Sequence, residues 1–143
     1  MIVRKLNFLF LTFLEEFKSA FIYHSFHLIT GINPWKLNVT LKGEAKVAQS
    51  SKAGIYTLGP DLVNGKSHWL QDPGSNAIWY DKRFENWKIG SNLGSSSASI
   101  ISYDDVAGPQ VATTWKYYNK EWIAFLPSDD IFVDTFVEPG TYK

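Results

Sequence analysis

Two patterns of apolar residues divide this chain. In residues 1–31, apolar side chains recur at spacings of three, four or seven, which is the period of an amphipathic α-helix, and Gly31 with Pro34 ends the pattern. After Ala53, short runs of β-branched and aromatic residues alternate with turn dipeptides, as in an antiparallel sheet. The pattern predicts a mainly β protein with an apolar helix at its N-terminus.

The N-terminal segment, residues 1–31, fits several interpretations. Arg4 and Lys5 followed by an apolar run are typical of a secretory signal, although a small-residue cleavage site is lacking. A transmembrane helix needs about 20 apolar residues, and Glu15 and Lys18 interrupt the run. The remaining interpretations are an amphipathic helix, packed on the domain or lying on a membrane, and an extension without fixed structure.

Residues 32–52 are predicted to form a connector. A weak strand alternation over residues 35–41 is followed by the small, polar run AQSSK. The triplet Asn38-Val39-Thr40 is an acceptor for N-glycosylation, so Asn38 is a candidate glycosylation site if the chain is exported.

The remaining residues, 53–143, are predicted to form one aromatic-rich antiparallel β domain of about seven strands. Asn64-Gly65 is a strong hairpin signal, because both residues tolerate the positive φ of a type I′ turn. A second hairpin is expected with Asn119-Lys120 at its tip. The strand number fits a small meander, sandwich or barrel. The other expected strands are Gly54–Leu58, Lys66–Gln71, Asn76–Asp81, Trp87–Ile89, Ala98–Tyr103 and Ile131–Val137.

Composition and charge exclude several classes of protein. The 143 residues carry 14 basic and 14 acidic side chains, so the usual electrostatic basis for binding nucleic acid is missing. The β domain alone is net acidic, which also disfavours nucleic-acid phosphates. The absence of cysteine excludes disulfide frameworks and thiol nucleophiles. No cofactor or metal site is predicted, because His24 and His27 have no third ligand near them in the sequence.

The many aromatic residues of the β domain have two interpretations. Large rings pack well across strands, so they are suited to a core. Alternatively, some rings lie exposed and stack on sugars, because adjacent aromatic residues point to opposite faces of a strand. The residues assigned to stacking are Trp79, Tyr80, Trp87, Tyr117 and Tyr118, and those assigned to hydrogen bonds with a ligand are Asn76, Asp81 and Asn86.

Two acidic pairs, Asp104-Asp105 and Asp129-Asp130, are the candidate catalytic groups. Paired carboxylates serve glycoside hydrolysis when a cleft separates them by roughly 5–10 Å. Asp is equally frequent in turns, where its carboxylate binds the local backbone. An enzyme is therefore not predicted, and a small hydrolase that uses one Asp pair is kept as an alternative.

The layout of residues 53–118 resembles a known type of module. Its elements, in order, are Gly54 and Tyr56, Asn64-Gly65 with Trp69, Trp79-Tyr80, and Trp87 with Ile89 and Gly90. This layout is similar to the aromatic-rich β-hairpin repeat modules of secreted or cell-surface multidomain animal proteins. The resemblance implies an extracellular setting and carries over no catalytic residue.

Together these features predict a non-catalytic binding or structural β module, extracellular or membrane-associated, whose ligand is a glycan or a protein. A protein anchored to a membrane by residues 1–31 is the rival hypothesis. No nucleic-acid partner is expected, and the oligomeric state stays open.

Overall fold

The computed structural model describes residues 34–139, which belong to a compact unit that begins at Pro34. The predicted apolar helix, with its signal-like and anchor interpretations over residues 1–31, lies outside the described residues.

Nine antiparallel strands and one short α-helix form the described chain. The elements are β1 (Lys36–Leu41), α1 (Gly43–Gln49), β2 (Gly54–Leu58), β3 (Trp69–Gln71), β4 (Ala77–Asp81), β5 (Asn86–Gly90), β6 (Ile100–Ser102), β7 (Trp115–Asn119), β8 (Ala124–Ser128) and β9 (Ile131–Thr135). Short 3-10 turns cover Ser50–Lys52 and Pro109–Val111. The predicted mainly antiparallel β class is confirmed.

The nine strands form one sheet that curls into a nearly closed barrel. β1 to β8 pair in chain order, and β9 pairs with the free edge of β1. β8 and β9 are joined only by Asp129 and Asp130, yet they stand at opposite ends of the strand order. The curvature of the sheet therefore brings its two edges together, and the remaining gap lies between β8 and β9.

Helix α1 links β1 and β7, the strands that neighbour the two edge strands β9 and β8. The helix follows β1 directly and packs against β7. The side-chain Nε2 of Gln49 donates a hydrogen bond of 2.8 Å to the carbonyl oxygen of Tyr118 in β7. Glu44 Oε2 lies 3.4 Å from the hydroxyl of Tyr117, which donates to it.

Residues 36–52 belong to the barrel and do not form the predicted connector. β1 pairs with β2 on one edge and with β9 on the other, so it is an internal strand of the sheet. Its alternating residues Leu37, Val39 and Leu41 are buried in the core. The alternation over residues 35–41 was thus a true strand signal.

Alternate side chains of the strands fill the barrel, as the two-residue period of a strand requires. The three largest fully buried side chains are tryptophans, two of which point into this core. The buried core comprises Leu37, Val39, Leu41, Ala45, Tyr56, Trp69, Ile78, Tyr80, Trp87, Ile89, Ile100, Trp115, Tyr117, Ile131 and Val133.

Candidate functional site

Four of the five residues assigned to stacking are buried, which corrects that assignment. Trp79 and Trp87 are fully buried, and Tyr80 and Tyr117 are no more than 6% exposed. Tyr118 is half-buried. A ring needs an exposed face to stack on a ligand, so the four buried rings have structural roles in this fold. The interpretation as core is borne out for Tyr80, Trp87 and Tyr117, whereas Trp79 is buried outside the core.

Trp87 and Tyr80 form the aromatic centre of one end of the barrel. Their ring centroids are 5.4 Å apart in an edge-to-face arrangement. The indole N–H of Trp87 donates to the carbonyl oxygen of Val106 at 2.9 Å, and the hydroxyl of Tyr80 donates to Asp105 Oδ1 at 2.8 Å. Burial and the Asp105 carboxylate raise the pKa of Tyr80 to about 12. The Lys66 ammonium covers the Tyr80 ring at 4.2 Å from its centroid.

Trp79 lies on the outer face of the same hairpin, beneath the loop of residues 91–99. Its indole N–H donates to the carbonyl oxygen of Ser95 at 3.1 Å. Gly90 permits this packing, because a Cβ there would lie only 3.2 Å from the Cα of Ala98 and 3.3 Å from the Trp79 ring. The loop therefore removes from solvent a ring that the strand pattern alone would leave exposed.

Asp81, assigned to ligand binding, is engaged within the protein. Its Oδ2 accepts a hydrogen bond of 2.7 Å from the buried Lys88 ammonium, and its Oδ1 accepts from the backbone N–H groups of Arg83 and Phe84. Burial alone would raise the pKa of Asp81, but these hydrogen bonds and the Lys88 charge outweigh it and hold the pKa below its usual value.

Asn76 and Asn86 are the other residues assigned to polar contacts with a ligand, and Asn86 is half-buried. Asn76 is buried, and its amide donates to the carbonyl oxygen of Ser51 and to Gln71 Oε1. Asn86 Oδ1 is buried without a hydrogen-bond partner in the described chain. Neither residue is part of an open site. Of the predicted set, the structure places Tyr80 opposite Trp87 and Asp81 opposite Asn86 in the pairing of β4 with β5, and Trp79 lies opposite Lys88.

Asn38, the candidate glycosylation site, lies on β1 with strands on both sides. It faces Ile55 of β2 and Asp134 of β9 in the register of the sheet and is half-buried. Its amide donates to Thr40 Oγ1 at 3.3 Å. Glycosylation of Asn38 stays a prediction.

The acidic pairs lie in connections between strands. The Asp104 carboxylate accepts hydrogen bonds from the hydroxyl and backbone N–H groups of both Thr113 and Thr114, which hold its pKa below its usual value. Asp129 and Asp130 form the turn between β8 and β9. These hydrogen bonds stabilise the connection between β6 and β7, so the Asp104 carboxylate has a structural role there.

Two hairpin tips share one geometry. The Phe84 tip (residues 82–85) joins β4 to β5, and the Trp122 tip (residues 120–123) joins β7 to β8. Each tip has four residues and presents an exposed aromatic ring at its third position, 57% exposed for Phe84 and 72% for Trp122. β4 and β7 run in opposite directions along the barrel, so the two tips lie at opposite ends of it.

The backbone of each tip is set by the residue before it. Asp81 and Asn119 each accept, through Oδ1, hydrogen bonds from the backbone N–H groups two and three positions later. The last residue of each tip has a left-handed backbone, with φ of 52° at Glu85 and 51° at Ile123. This conformation turns the chain back into the next strand and holds the preceding aromatic ring outward.

The Trp122 tip borders an open depression of the surface. The depression has a volume of about 410 Å³ and lies between helix α1 and the tip. Val47, Ala48 and Trp122 provide its apolar walls, and Glu44, Asn119, Lys120 and Glu121 provide its polar groups. Val47, Ile123 and Trp122 are the most exposed large apolar side chains of residues 34–139, at 85%, 79% and 72%.

The Phe84 tip borders a second depression, of about 330 Å³, lined by Asn64, Asp81, Lys82, Arg83 and Gly94. Lys82 and Arg83 are exposed, and within residues 34–139 no carboxylate forms an ion pair with either of them. The two tips thus have the same backbone conformation and an exposed ring at the same position, but they differ in the charge beside the ring.

No known protein family matches this chain, and neither does any curated protein or solved structure. Among residues 34–139, no helix is long and apolar enough to span a bilayer, and no three His, Asp or Glu side chains are grouped as a metal site requires.

The exposed rings, Phe84 and Trp122, were not among the residues assigned to a ligand from the sequence. A signal for them exists, because Asp81-Lys82-Arg83-Phe84 and Asn119-Lys120-Glu121-Trp122 share the pattern Asx-Lys-x-aromatic directly after a strand. An aromatic residue in a turn cannot enter the core of a sheet, so this repeated pattern indicates exposed rings.

Proposed function

We propose that this protein is a non-catalytic binding module that recognises a carbohydrate at the Trp122 tip. The single observation that carries the proposal is the position of the Trp122 ring, 72% exposed, on the wall of an open depression whose other wall is helix α1. Exposed apolar surface that is rimmed by polar groups and borders a concavity marks places where ligands bind.

The chemistry of the depression suits a sugar. The indole ring and the Val47 methyl groups offer apolar surface to the C–H face of a pyranose. Lys120 supplies hydrogen-bond donors, and Glu44 and Glu121 supply acceptors, which sugar hydroxyl groups require around their rim. A site with both kinds of polar group fits a neutral saccharide.

The backbone conformation of Ile123 also supports a ligand site at the Trp122 tip. A β-branched residue at φ 51° is strained, and its side chain gains nothing from burial because it is 79% exposed. Local strain of this kind persists where it serves a function. Here it holds the Trp122 ring out from the barrel.

The test is to screen the full chain against immobilised neutral oligosaccharides and then to titrate the best ligand. Trp122→Ala should weaken binding at least about tenfold, because the stacking surface is lost. Trp35→Ala is the matched control, since Trp35 is 58% exposed at the opposite end of β1 from helix α1. Binding that survives Trp122→Ala, or the absence of any bound oligosaccharide, would overturn the proposal.

A protein ligand is the second candidate, and the cluster of exposed apolar side chains favours it. Val47, Trp122 and Ile123 with a rim of charged residues match the anatomy of a protein interface, where an aromatic anchor is surrounded by polar groups. The two candidates differ in their response to Ile123→Lys, because Ile123 belongs to the exposed apolar cluster but does not line the depression. A charge at this position should abolish protein binding but leave stacking of a sugar on Trp122 within a few-fold.

The extracellular setting is proposed together with the glycan ligand, and the resemblance of residues 53–118 to modules of secreted animal proteins supports it. It is tested by expressing the full chain in eukaryotic cells and measuring its mass in medium, membrane and cytosol. A glycan attached at Asn38 in the secreted fraction would support export, and an intact unmodified chain confined to the cytosol would contradict it.

A further inference from the structure

A second surface of the barrel has the layout of a ligand site that the proposed function does not use. The Phe84 tip repeats the backbone of the Trp122 tip, with the same Asx hydrogen bonds, the same left-handed fourth residue and an exposed ring at the third position. It lies at the opposite end of the barrel and borders its own depression.

The charge beside the ring distinguishes the two tips. Lys82 and Arg83 occupy the first two positions of the Phe84 tip, whereas the Trp122 tip has Lys120 and Glu121 there. Both Lys82 and Arg83 line the depression and are exposed, and within the described chain neither is neutralised by an ion pair. Both cations are therefore available to a ligand.

The one carboxylate in the depression does not compensate these two cations. Asp81 is bound to the buried Lys88 ammonium at 2.7 Å and to two backbone N–H groups. Glu85 is the only other acidic residue of the hairpin turn, and it does not line the depression. The accessible charge of the depression is thus positive.

We propose that the Phe84 tip binds an anionic saccharide, one that carries a carboxylate or sulfate group. The Phe84 ring, 57% exposed and with the Arg83 guanidinium 5.9 Å and the Lys88 ammonium 4.5 Å from its centroid, adds apolar contact with the sugar beside the depression. The Arg83 guanidinium pairs with the acidic group, since its planar fork matches the two oxygens of a carboxylate or sulfate. Lys82 adds a second, less directional charge. The module thereby has two sites of different specificity, one at each end of the barrel.

The experiment titrates the full chain with a heparin-derived disaccharide that carries sulfate and carboxylate groups, and follows backbone amides by NMR. The expected shifts fall on residues 82–85 and on Gly94. Arg83→Gln should weaken binding at least about tenfold, because a charge-assisted pair is lost. Lys120→Ala removes one positive charge from the first position of the Trp122 tip and should change the affinity for the disaccharide less than twofold.

One further variant and two control ligands separate this proposal from its alternatives. Trp122→Ala should leave the affinity for the anionic disaccharide unchanged, so that a failure of the site proposed at the Trp122 tip does not affect this test. Inorganic sulfate at equal ionic strength and the neutral disaccharide maltose should each bind at least about tenfold more weakly than the anionic disaccharide. The proposal fails if the amides of the Phe84 tip do not shift, if Lys120→Ala or Trp122→Ala weakens binding as much as Arg83→Gln, or if sulfate alone binds as tightly.

Discussion

The ammonium of Lys88 lies 2.7 Å from the carboxylate of Asp81 on the outer face of the β4–β5 hairpin, and both side chains are more than nine-tenths buried. The same nitrogen donates a hydrogen bond of 2.6 Å to the carbonyl oxygen of Ser96. A buried charge is tolerated only where it is compensated. The pair therefore fixes the loop of residues 91–99 against the hairpin and covers Trp79.

We expect Lys88→Met to lower the free energy of unfolding by about 3 kcal/mol, since it leaves the Asp81 carboxylate buried without its cation. Urea denaturation at pH 7 measures this loss. Lys120→Met is the control, because Lys120 is exposed and its replacement should cost less than about 0.5 kcal/mol. Adding Asp81→Asn to Lys88→Met should recover part of the loss, and an equal or larger loss in the double variant would contradict the compensation argument.

Stability should fall in acid because Asp81 and Asp104 have lowered pKa values in the folded state. Each carboxylate contributes stability that is complete above the usual Asp pKa of 3.8 and is lost as the pH falls through the lower folded value. Urea denaturation of wild type should therefore show a falling free energy of unfolding below about pH 4.

The variant Asp104→Asn tests this pH dependence. It cannot carry the charge that the groups of Thr113 and Thr114 stabilise, so it should be less stable than wild type at pH 7 and lose less stability between pH 4 and pH 2. Parallel pH profiles for the variant and wild type would show that the Asp104 hydrogen bonds do not favour its charged form.

Ile123→Asn should stabilise the protein by about 1 kcal/mol, because Asn tolerates the left-handed backbone that Ile adopts at φ 51°. The Ile side chain is 79% exposed, so little burial is lost. The expected rise in Tm is roughly 3–5 °C in a calorimetric scan. Ile123→Val keeps the β-branch and should give no rise; a Tm for Ile123→Asn at or below that of Ile123→Val would argue against backbone strain at this tip.

Local signals in the sequence predicted the strands and turns well. Asn64 and Gly65 have φ of 55° and 82°, as the expected type I′ turn requires, and Val63 bridges to Lys66 around them. The strand Gly54–Leu58 has the predicted bounds. These features depend on residues close together in the chain, which is why their pattern sufficed.

The exposure of individual rings depended on contacts that a strand pattern does not contain. Trp79 and Tyr80 do point to opposite faces of β4, as expected, but the loop of residues 91–99 covers the outer face, so both are buried. The place of residues 36–52 in the sheet also depended on a contact that is distant in the chain. The polar, small residues near Ser50 suggested a connector, whereas the pairing of β1 with β9 makes β1 an internal strand of the sheet.

The pairing of β1 with β9 also constrains the order in which the barrel can form. Seven of the eight strand pairings within residues 34–139 join strands that are neighbours in the chain, so each can close as a local hairpin or short loop. The remaining pairing joins the first strand to the last, and its long loop must close at a larger entropic cost. During synthesis β1 therefore waits with an unpaired edge until β9 has left the ribosome, which makes this edge the place where a nascent or truncated chain is most prone to associate with another.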